Sequence, residues 1–580
     1  MRLNIVKSKN AEQLYIIKSY RQKNGKNTSK IVAKLGNMDS LLPLHNNSRD
    51  EVILWAKQEA ERLTVLEKEE NDKILIELSQ SSLIRPDVQT HYNGGYLFLQ
   101  DIFYDLKLDK MCSIISKNFS FRYDLASVLS RLIYSRIIYP SSKLATFEHS
   151  KSFIEQPDFK LHDIYRSLDV IEKENDFIQQ FVYDSSLNVV KRNSSILFYD
   201  CTNFFFELEN AEGLKQYGKS KENRPNPIVQ MGLFMDGDGL PLSFIITPGN
   251  QSEQTTLKPL ESRIIRDFQL SRFIVCTDAG LASKENRDFN NMGQRSYIVT
   301  QSLKKLKQPI KEWTLSPHGW HLADSDTIYD IEEVIEKVNK GDMDGINTEY
   351  IWYKDTYPYE DRPEERLIVS YSPKYALYQK KIREGQIERA KKLAQEGKKS
   401  SHNNPNSPSR FILEINTTES GEAASEKHLA IDETKIVQEA MFDGFYGVTT
   451  TLKDPIEEII KINKRRWEIE ETFRIMKSEF RTRPVYLQND ERITAHFTIC
   501  FLSMLISRIL EKKLKESYSA EKIIDTLRSM DFQYYQGKGY IPIYTRTEIT
   551  DALHNAFDFR TDTQIVGEQK MKSIIKKTKK

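Results

Sequence analysis

The alternation of apolar and polar residues changes several times along the chain and divides it into regions of different predicted structure. Residues 1–36 alternate with a period of two in YIIKSYRQ and KIVAKLG, which are separated by the polar turn KNGKNTS, so short strands are predicted. From Asp50 to about Gln80 the apolar positions follow a helical period within a heavily charged segment. Residues 95–190 are predicted to be almost entirely helical, with a break at Pro140.

Compact apolar runs then replace the helical pattern. SSILFYD (194–200), IVQMGLFMD (228–236), LPLSFIIT (240–247) and FIVCTD (273–278) have the length and composition of buried strands. The sequence DGDG joins the second run to the third and predicts a hairpin turn. The middle of the chain is therefore predicted to form a sheet.

The pattern becomes mixed beyond this sheet. Residues 303–375 combine the aromatic, strand-like segments EYIWYKD and RLIVSYS with charged loops. A basic helix is predicted over 379–399, followed by SSHNNPNSPS as a loop or linker. The strand candidate YGVTTT (446–451) precedes a helical region from about 455 to 514, and the basic C-terminal tail is expected to be frayed.

Composition excludes some classes of protein but does not identify a function. The 580 residues exceed what one core normally serves, so two to four domains are expected. An apolar content of 39% excludes a mainly disordered chain. The net charge is only +2, which by itself gives no support for nucleic-acid binding. Local charge and motifs must decide the function.

Cysteine usage and the apolar runs indicate the compartment. The four cysteines are scattered and form no C-x-x-C pair, so neither a zinc site nor a disulfide framework is predicted. The N-terminal segment lacks the apolar core of a signal peptide. The run Phe497 to Ile506 is too short to span a bilayer and is predicted to be a buried helix. We therefore expect a cytoplasmic protein that does not contact membranes.

Two aspartates stand out because of their position at the ends of predicted strands. Asp200 ends SSILFYD and Asp278 ends FIVCTD. A carboxylate at the end of a buried strand lies at the edge of the sheet, where ligands of α/β sheets usually bind. An aspartate in such a position is also often only a turn or cap residue.

A third acid lies on a predicted helix, within NKRRWEIEETFRIMKSEF. Arg466, Glu470, Phe473 and Lys477 follow helical spacing and share one face, which presents a carboxylate between two cations. The two cations could hold phosphate oxygens or simply hold Glu470 in place. Pairs of this kind are also ordinary decoration of a helix surface. Three carboxylates without His or Cys suit Mg²⁺ or Mn²⁺, and a metal pair about 4 Å apart supports phosphoryl transfer.

The segment RRWEIEETFRIMKS resembles the Y-x2-R-x3-E-x6-K signature of the insertion-sequence-four-like DDE transposases. Arg466, Glu470 and Lys477 match the arginine, glutamate and lysine of the signature, whereas Asn463 replaces its tyrosine. FYDCTNFFFE and CTDAGLASKEN resemble the two aspartate motifs of the family. The hairpin segment with the turn PGN and the helical continuation RTRPVYLQNDERITAHFTICFLSMLI are also similar. The resemblance covers roughly residues 95 to 515.

The resemblance implies an α/β protein with an RNase H-like catalytic core and a mostly β insertion between Asp278 and Glu470. It implies that Asp200, Asp278 and Glu470 are catalytic and bind two Mg²⁺ or Mn²⁺ ions per active site. Six regions are expected. Before the core lie a β-like N-terminal segment (1–45) and a mainly helical region proposed to bind DNA ends (46–190). The core has a first part (191–302), a β-rich insertion with a basic helix and loop (303–440) and a second part with the glutamate helix (441–515), and a C-terminal helical region with a basic tail follows (516–580).

The implied function is DNA transposition: metal-dependent cleavage and strand transfer at the inverted-repeat ends of an insertion sequence. The expected partners are the terminal inverted repeats, target DNA and further copies of the chain in a homodimer or higher assembly, in association with the nucleoid. Two alternatives stay open. One is a nuclease of the same fold that performs no strand transfer, and the other is an inactive DNA-binding derivative.

Several further residues are candidates for DNA binding or for support of the site, and each has a simpler structural interpretation. The cluster Lys219, Lys221 and Arg224 could contact DNA phosphate or could be a solvated loop. Thr202 could support the metal site or act as a cap. Trp467 could stack on a base or pack in the core.

Overall fold

The computed structural model describes residues 1–8, 11–21, 27–71, 73–81, 83, 86–323, 325–398, 407–417 and 423–580. These residues form a mixed α/β protein that divides into two compact units. The first unit comprises Met1–Thr90, Gln533–Pro542 and Asp562–Met571, and the second comprises His91–Phe532, Ile543–Thr561 and Lys572–Lys580.

The N-terminal part of the first unit is an antiparallel sheet followed by a long helix. Its elements are β1 (Arg2–Ser8), β2 (Ala11–Arg21), β3 (Asn27–Asn37), α1 (Met38–Leu41) and α2 (Arg49–Asn71). Leu14, Val52 and Ala56 pack together in its core. The predicted strands and the charged helix are confirmed. The helix ends at Asn71, before the expected end near Gln80, and the predicted turn KNGKNTS lies mostly outside the described residues.

The second unit begins with the predicted helical region. After β4 (His91–Asn93) follow α3 (Tyr96–Asp105), α4 (Leu108–Ser116), α5 (Leu125–Ile138), α6 (Lys143–Ser150), α7 (Leu161–Lys173) and α8 (Asn175–Ser186). The predicted break is confirmed, because α5 ends two residues before Pro140. Proline cannot donate the hydrogen bond that would continue the helix.

The predicted sheet follows as β5 (Ile196–Phe205), β6 (Ile228–Asp236), β7 (Pro241–Pro248), α9 (Leu257–Asp267), β8 (Ile274–Thr277), α10 (Lys284–Asn290) and β9 (Ser296–Gln301). Strand β6 lies between β5 and β7 and is antiparallel to both. The predicted hairpin turn joins β6 to β7, and within it Gly239 has a φ of +76°. Strands β5, β8 and β9 are parallel neighbours. Every residue of β6 is buried, which explains why its sequence is mostly apolar, with Gln230 and Asp236 as the buried polar exceptions.

In the segment that follows β9 and ends with the predicted strand YGVTTT, the described residues form four α-helices as well as strands. Its elements are α11 (Gln308–Leu315), β10 (His321–Leu322), α12 (Glu332–Lys340), β11 (Trp352–Thr356), β12 (Arg366–Tyr371), α13 (Pro373–Gln395), β13 (Ile412–Thr417), β14 (Ala423–Ile431), α14 (Glu433–Ala440) and β15 (Phe445–Thr450). The two aromatic strands and the basic helix, now α13, are confirmed. Most of the predicted linker SSHNNPNSPS lies outside the described residues.

Four strands of this segment, β10, β11, β12 and β15, extend the central sheet. The nine strands run in the order β10-β11-β12-β15-β9-β8-β5-β6-β7, and β15 pairs antiparallel with β9. The segment therefore belongs to the same compact unit as β5 to β9. Strands β13 and β14 form a separate two-stranded sheet.

The chain continues with α15 (Ile456–Lys464), α16 (Trp467–Ser478), α17 (Asp490–Lys513), α18 (Ala520–Ser529), β16 (Asp531–Tyr535), β17 (Gly539–Pro542), α19 (Glu548–Phe557), β18 (Val566–Gly567) and α20 (Glu568–Lys577). Helix α17 is long and apolar enough to cross a membrane, but 89% of its most apolar window is buried inside the fold. The predicted buried helix is confirmed.

The expectation of a frayed C-terminal tail is wrong. Residues 568–577 form α20, and within the second unit Ile574 is buried. The Thr578 hydroxyl also accepts a hydrogen bond of 3.0 Å from the buried Gln100 amide. Apolar residues at helical spacing among the lysines let one face of the tail pack while the charges stay in water.

Candidate active site

Asp200 does not end its strand, which corrects the sequence-based interpretation. Strand β5 continues through Asp200 to Phe205 because the residues that follow, CTNFF, are buried and pair with β6. Thr202 is therefore a buried strand residue opposite Met231, and the interpretation of Thr202 as a cap is wrong. The sequence showed where the apolar run met a charge, and here the strand continues beyond that charge.

The register of two parallel strands places Asp200 beside Asp278. Phe198 on β5 pairs with Cys276 on β8, and Asp200 and Asp278 each lie two residues further along the chain in extended backbone. Side chains two residues apart point to the same face of a strand, so both carboxylates leave the same face of the sheet. Asp278 directly follows the last residue of β8, as predicted, and its Oδ1 accepts a hydrogen bond of 3.1 Å from the Leu281 amide.

The charges around Asp200 identify its neighbours. Burial raises the pKa of Asp200 to about 6, and the nearby negative charge of Asp278 adds to this effect. The positive charges of Lys221 and Arg466 act in the opposite direction. Asp200 Oδ1 also accepts a hydrogen bond of 2.8 Å from the Cys201 amide. The site is thus an acidic pair surrounded by cations.

Helix α16 directs one charged face toward this pair. The positive charge of Arg466 lowers the pKa of Asp200. Burial lowers the pKa of Lys477 to about 8, and the negative charge of Asp200 acts in the opposite direction. Glu470 lies between these two cations on the helix. The Glu470 side chain is 57% exposed, and its carboxylate forms an ion pair of 3.1 Å with Arg466. Arg466 therefore holds Glu470 in this structure, which is one of the two roles considered for it.

The acids fit a hard divalent cation through their chemistry, although they do not form a ready-made three-ligand cluster. Asp200 and Asp278 are adjacent carboxylates, and oxygen ligands without His or Cys suit Mg²⁺ or Mn²⁺. Among the residues that the structure describes, no group of three or more His, Cys, Asp or Glu side chains is close enough to hold a metal ion. The structure thus brings two of the three predicted acids together and leaves the third paired with Arg466.

The predicted basic cluster is divided by the structure. The Lys221 ammonium donates to the Cys201 carbonyl oxygen and forms an ion pair of 3.3 Å with Glu253, so this lysine belongs to the surroundings of Asp200. Lys219 is exposed. Arg224 lies 4.2 Å from the centre of the Phe205 ring and pairs with Glu222 at 3.7 Å.

Trp467 is exposed, so the interpretation of this side chain as core packing is wrong. Its residue exposure is 57%, because the first residue of α16 faces solvent. Together with Glu470 and Tyr446 it lines a cavity of about 380 Å³. An aromatic side chain at the rim of such a cavity is available for stacking.

Sequence reasoning missed Tyr446 as a residue of this site. Its hydroxyl accepts a hydrogen bond of 2.9 Å from the Asn463 amide, and Asn463 occupies the position where the resemblance predicts tyrosine. A phenol thus reaches the site from β15 instead of from α15. Only the pairing of β15 with β9 brings Tyr446 there, so no local signal in the sequence could have found it.

Two family models match the chain. The Transposase DDE domain matches residues 184–506, a span that contains Asp200, Asp278 and Glu470. The chain belongs to the DDE transposase family, whose members cut and rejoin DNA and generally use divalent metal ions. Residues 3–70 match the N-terminal domain of IS1634 family transposases, which makes this a bacterial insertion-sequence transposase of the IS1634 type. The predicted family, function and enzyme class are confirmed.

Solved structures of transposases are similar to the chain only remotely. A piggyBac transposase synaptic complex with hairpin DNA is 7% identical, with a TM-score of 0.35 over 83% of this chain and 85% of that chain. A Mos1 transposase paired-end complex is 11% identical, with a TM-score of 0.13 over 50% and 80%. None of the curated proteins matches the sequence.

Proposed function

We propose that Asp200, Asp278 and Glu470 are the catalytic acids of this transposase and that they hold two Mg²⁺ or Mn²⁺ ions. One observation carries the proposal: Asp200 and Asp278 lie in matching register on parallel strands, while Arg466 and Lys477, which flank Glu470 on its helix face, both act on Asp200. Glu470 joins the pair when its flexible, exposed side chain leaves Arg466 and turns toward the sheet.

We further propose that the core is RNase H-like. The order β7-β6-β5-β8-β9, with three antiparallel strands followed by two strands parallel to the first, supports this assignment. In this fold the first acid is on the central strand and the second is on its parallel neighbour, which are the positions of Asp200 and Asp278. Strands β15, β12, β11 and β10 then extend the sheet beyond the core.

The residues of the site divide the work of phosphoryl transfer. Divalent ions, when bound, stabilise the attacking and the leaving oxygen of the reaction. Asp200 and Asp278 fix the position of those ions, while Arg466, Lys477 and Lys221 offer positive charge to the phosphate oxygens. Once Arg466 is released from Glu470, its guanidinium is free to bind a phosphate with two parallel hydrogen bonds.

The proposed substrates are the terminal inverted repeats of an insertion sequence and a target DNA. The same site can use water for cleavage and the freed 3′-hydroxyl for strand transfer, because only the attacking oxygen changes. Two DNA ends must be held together, so we propose that the chain acts as a homodimer or higher assembly on the nucleoid. The helices of residues 91–190 and the N-terminal sheet are the proposed end-binding regions, and Lys219 and Arg224 are proposed phosphate contacts.

Changing Glu470 to glutamine should reduce cleavage of inverted-repeat DNA at least about 10²-fold, the loss typical of removing one group that stabilises charge in the transition state. DNA affinity without metal should stay within about twofold, since glutamine keeps the size of the side chain and removes one negative charge. Gel-based cleavage and fluorescence anisotropy measure the two quantities.

Glu468 provides a matched control for this test. It lies on the same helix, two residues earlier and on a different face, where it pairs with Arg465 at 2.9 Å. The E468Q variant should cleave normally. Normal cleavage by E470Q would contradict the assignment of Glu470. Incubation of pre-cut ends with a target plasmid then separates transposition from cleavage alone: joined products support transposition, and their absence supports the nuclease alternative.

Replacing Trp467 by alanine should weaken binding to DNA with an unpaired end by roughly five- to 150-fold, because stacking of a base on an aromatic ring contributes about 1–3 kcal/mol. Fully paired duplex should bind W467A and wild-type protein equally. The two affinities are measured in parallel by fluorescence anisotropy. An equal loss on both substrates would show that the tryptophan does not stack on an unpaired base.

A further inference from the structure

A second cavity, of about 460 Å³, lies apart from the one at Trp467 and is strongly basic. It is formed by the end of α5, the start of α6, the segment that follows α16 and the first half of α17. Its basic residues are Arg136, Lys143, Arg481, Arg483 and His496. No acidic side chain is among its described lining residues. All of these elements belong to the second unit.

Two of the cations are buried without a counter-charge. Arg136 is 5% exposed and Lys143 is 6% exposed. Arg136 donates to the carbonyl oxygens of Phe480, at 3.0 Å, and Ser141, at 3.2 Å. In the part of the chain that the structure describes, neither residue forms an ion pair with a carboxylate. An unpaired buried charge is costly, so this cavity favours the entry of an anion.

Burial and the repulsion between these groups shift their pKa values. Burial and the positive charge of Arg136 lower the pKa of Lys143 to about 7. Burial, together with Arg136 and Lys143, also lowers the pKa of His496. An anion in the cavity would relieve this repulsion and favour the charged form of Lys143.

The start of α6 adds to the attraction for an anion. Ser142 is its N-cap, Lys143 is its first residue, and both line the cavity. The N-terminal end of a helix carries partial positive charge, which favours phosphate groups. Hydroxyls of Ser141 and Ser142 at the same wall supply further polar contacts.

A chain of ion pairs connects the cavity to the catalytic acids. Arg483, on the cavity wall, pairs with Glu222, and Glu222 lies 3.9 Å from the Lys477 ammonium. Lys477 in turn lies within electrostatic reach of Asp200. The Glu222 carboxylate therefore links Arg483 on the cavity wall to Lys477 beside the catalytic acids.

We propose that this cavity binds a backbone phosphate of the DNA strand that enters the active site, at a phosphodiester other than the one being cleaved. The proposal rests on the proposed function for the presence of DNA at Asp200. Arg136, Lys143 and Arg483 supply the positive charge, and the site positions the strand without reading its sequence, because phosphate contacts carry no base information. The bound phosphate replaces the carboxylate that the two buried cations lack.

The test compares Lys143→Met with Lys151→Met. Methionine keeps most of the apolar length of the buried side chain and removes its charge. Lys151 is a partly exposed lysine just after the same helix, and it pairs with Glu148. Inorganic phosphate should raise the Tm of wild-type protein and of K151M more than that of K143M at equal ionic strength. General stabilisation by phosphate ions acts on all three proteins, so the difference isolates the cavity.

DNA binding provides the second measurement. In metal-free buffer, the slope of the logarithm of affinity for inverted-repeat duplex against the logarithm of salt concentration should fall by about one in K143M, as expected for one lost phosphate contact. K151M should keep the wild-type slope. Unchanged slope and unchanged phosphate stabilisation in K143M would overturn the proposal, and so would an equal loss of slope in K151M. If K143M does not fold, Arg483→Gln, on the same cavity wall, takes its place.

These measurements are independent of catalysis, so they separate the two proposals. Normal cleavage by E470Q together with loss of phosphate stabilisation in K143M would reject the catalytic assignment of Glu470 and keep the phosphate site. Loss of cleavage in E470Q with wild-type behaviour of K143M would keep the catalytic assignment of Glu470 and reject the phosphate site.

Discussion

Replacing Asp200 by asparagine should reduce strand cleavage by at least about 10³-fold, at the upper end of the loss seen when one transition-state donor is removed. Asp200 lies on β5, beside Asp278 and within electrostatic reach of Lys221, Arg466 and Lys477, so its carboxylate interacts with more charged groups of the site than either other acid. Asparagine keeps the shape of the side chain but removes the negative charge that holds a divalent ion. Cleavage is measured in Mg²⁺ and in Mn²⁺.

Binding separates a catalytic role of Asp200 from a structural one. The D200N variant should bind inverted-repeat DNA at least as tightly as wild-type protein, because it removes a partly buried negative charge near the cations. Asp267→Asn is the matched control, since Asp267 ends α9 and, among the residues that the structure describes, forms its ion pair with its neighbour Arg266 alone. Substantial cleavage by D200N, or loss of cleavage in D267N, would contradict the role assigned to Asp200.

The pair Asp200 and Asp278 could be predicted from sequence because each follows a run of buried residues that alone defines a strand. The continuation of β5 past Asp200 could not, since CTNFF becomes a strand only through its pairing with β6. Local patterns show where a strand is possible. The neighbouring strands that pair with it determine where it ends.

For Glu470, too, the sequence predicted the local pattern but not the contacts that depend on the rest of the fold. Helical spacing correctly placed Arg466, Glu470 and Lys477 on one face, because that periodicity is a local property. The rotamer of Glu470 and its pairing with Arg466 depend on side-chain competition that the spacing does not describe. The exposure of Trp467, on the same helix, could not be predicted because it depends on which neighbours cover the first turn.

The basic cavity lay beyond sequence reasoning because its residues are far apart along the chain. Arg136 and Lys143 flank a break between two helices, whereas Arg483 follows the glutamate helix. The near-neutral net charge also concealed the local excess of cations. Only the packing of α5 and α6 beside the start of α17 joins them into one wall.

A fully buried ion pair stabilises the β6–β7 hairpin, whose strand β7 is an edge strand of the central sheet. Arg192 Nε lies 2.6 Å from Asp236 Oδ2, and both side chains are completely buried. The guanidinium also donates to the Ser186 hydroxyl and to the Leu240 and Pro241 carbonyl oxygens. Asp236 Oδ1 accepts hydrogen bonds from two amides of the turn between β6 and β7. One pair thus joins the segment before β5 to the β6–β7 turn.

Changing Arg192 to methionine should lower the free energy of unfolding by about 3–5 kcal/mol, because it leaves the Asp236 charge buried without its partner. Arg266→Met, which breaks the exposed pair with Asp267, should cost no more than about 1 kcal/mol, since water screens an ion pair at the surface. Urea unfolding of the full chain, followed by tryptophan fluorescence, measures both changes. A loss in R192M as small as that in R266M would mean that the hydrogen bonds to the turn amides suffice to hold Asp236. In that case the sheet on which Asp200 lies would not depend on the buried pair.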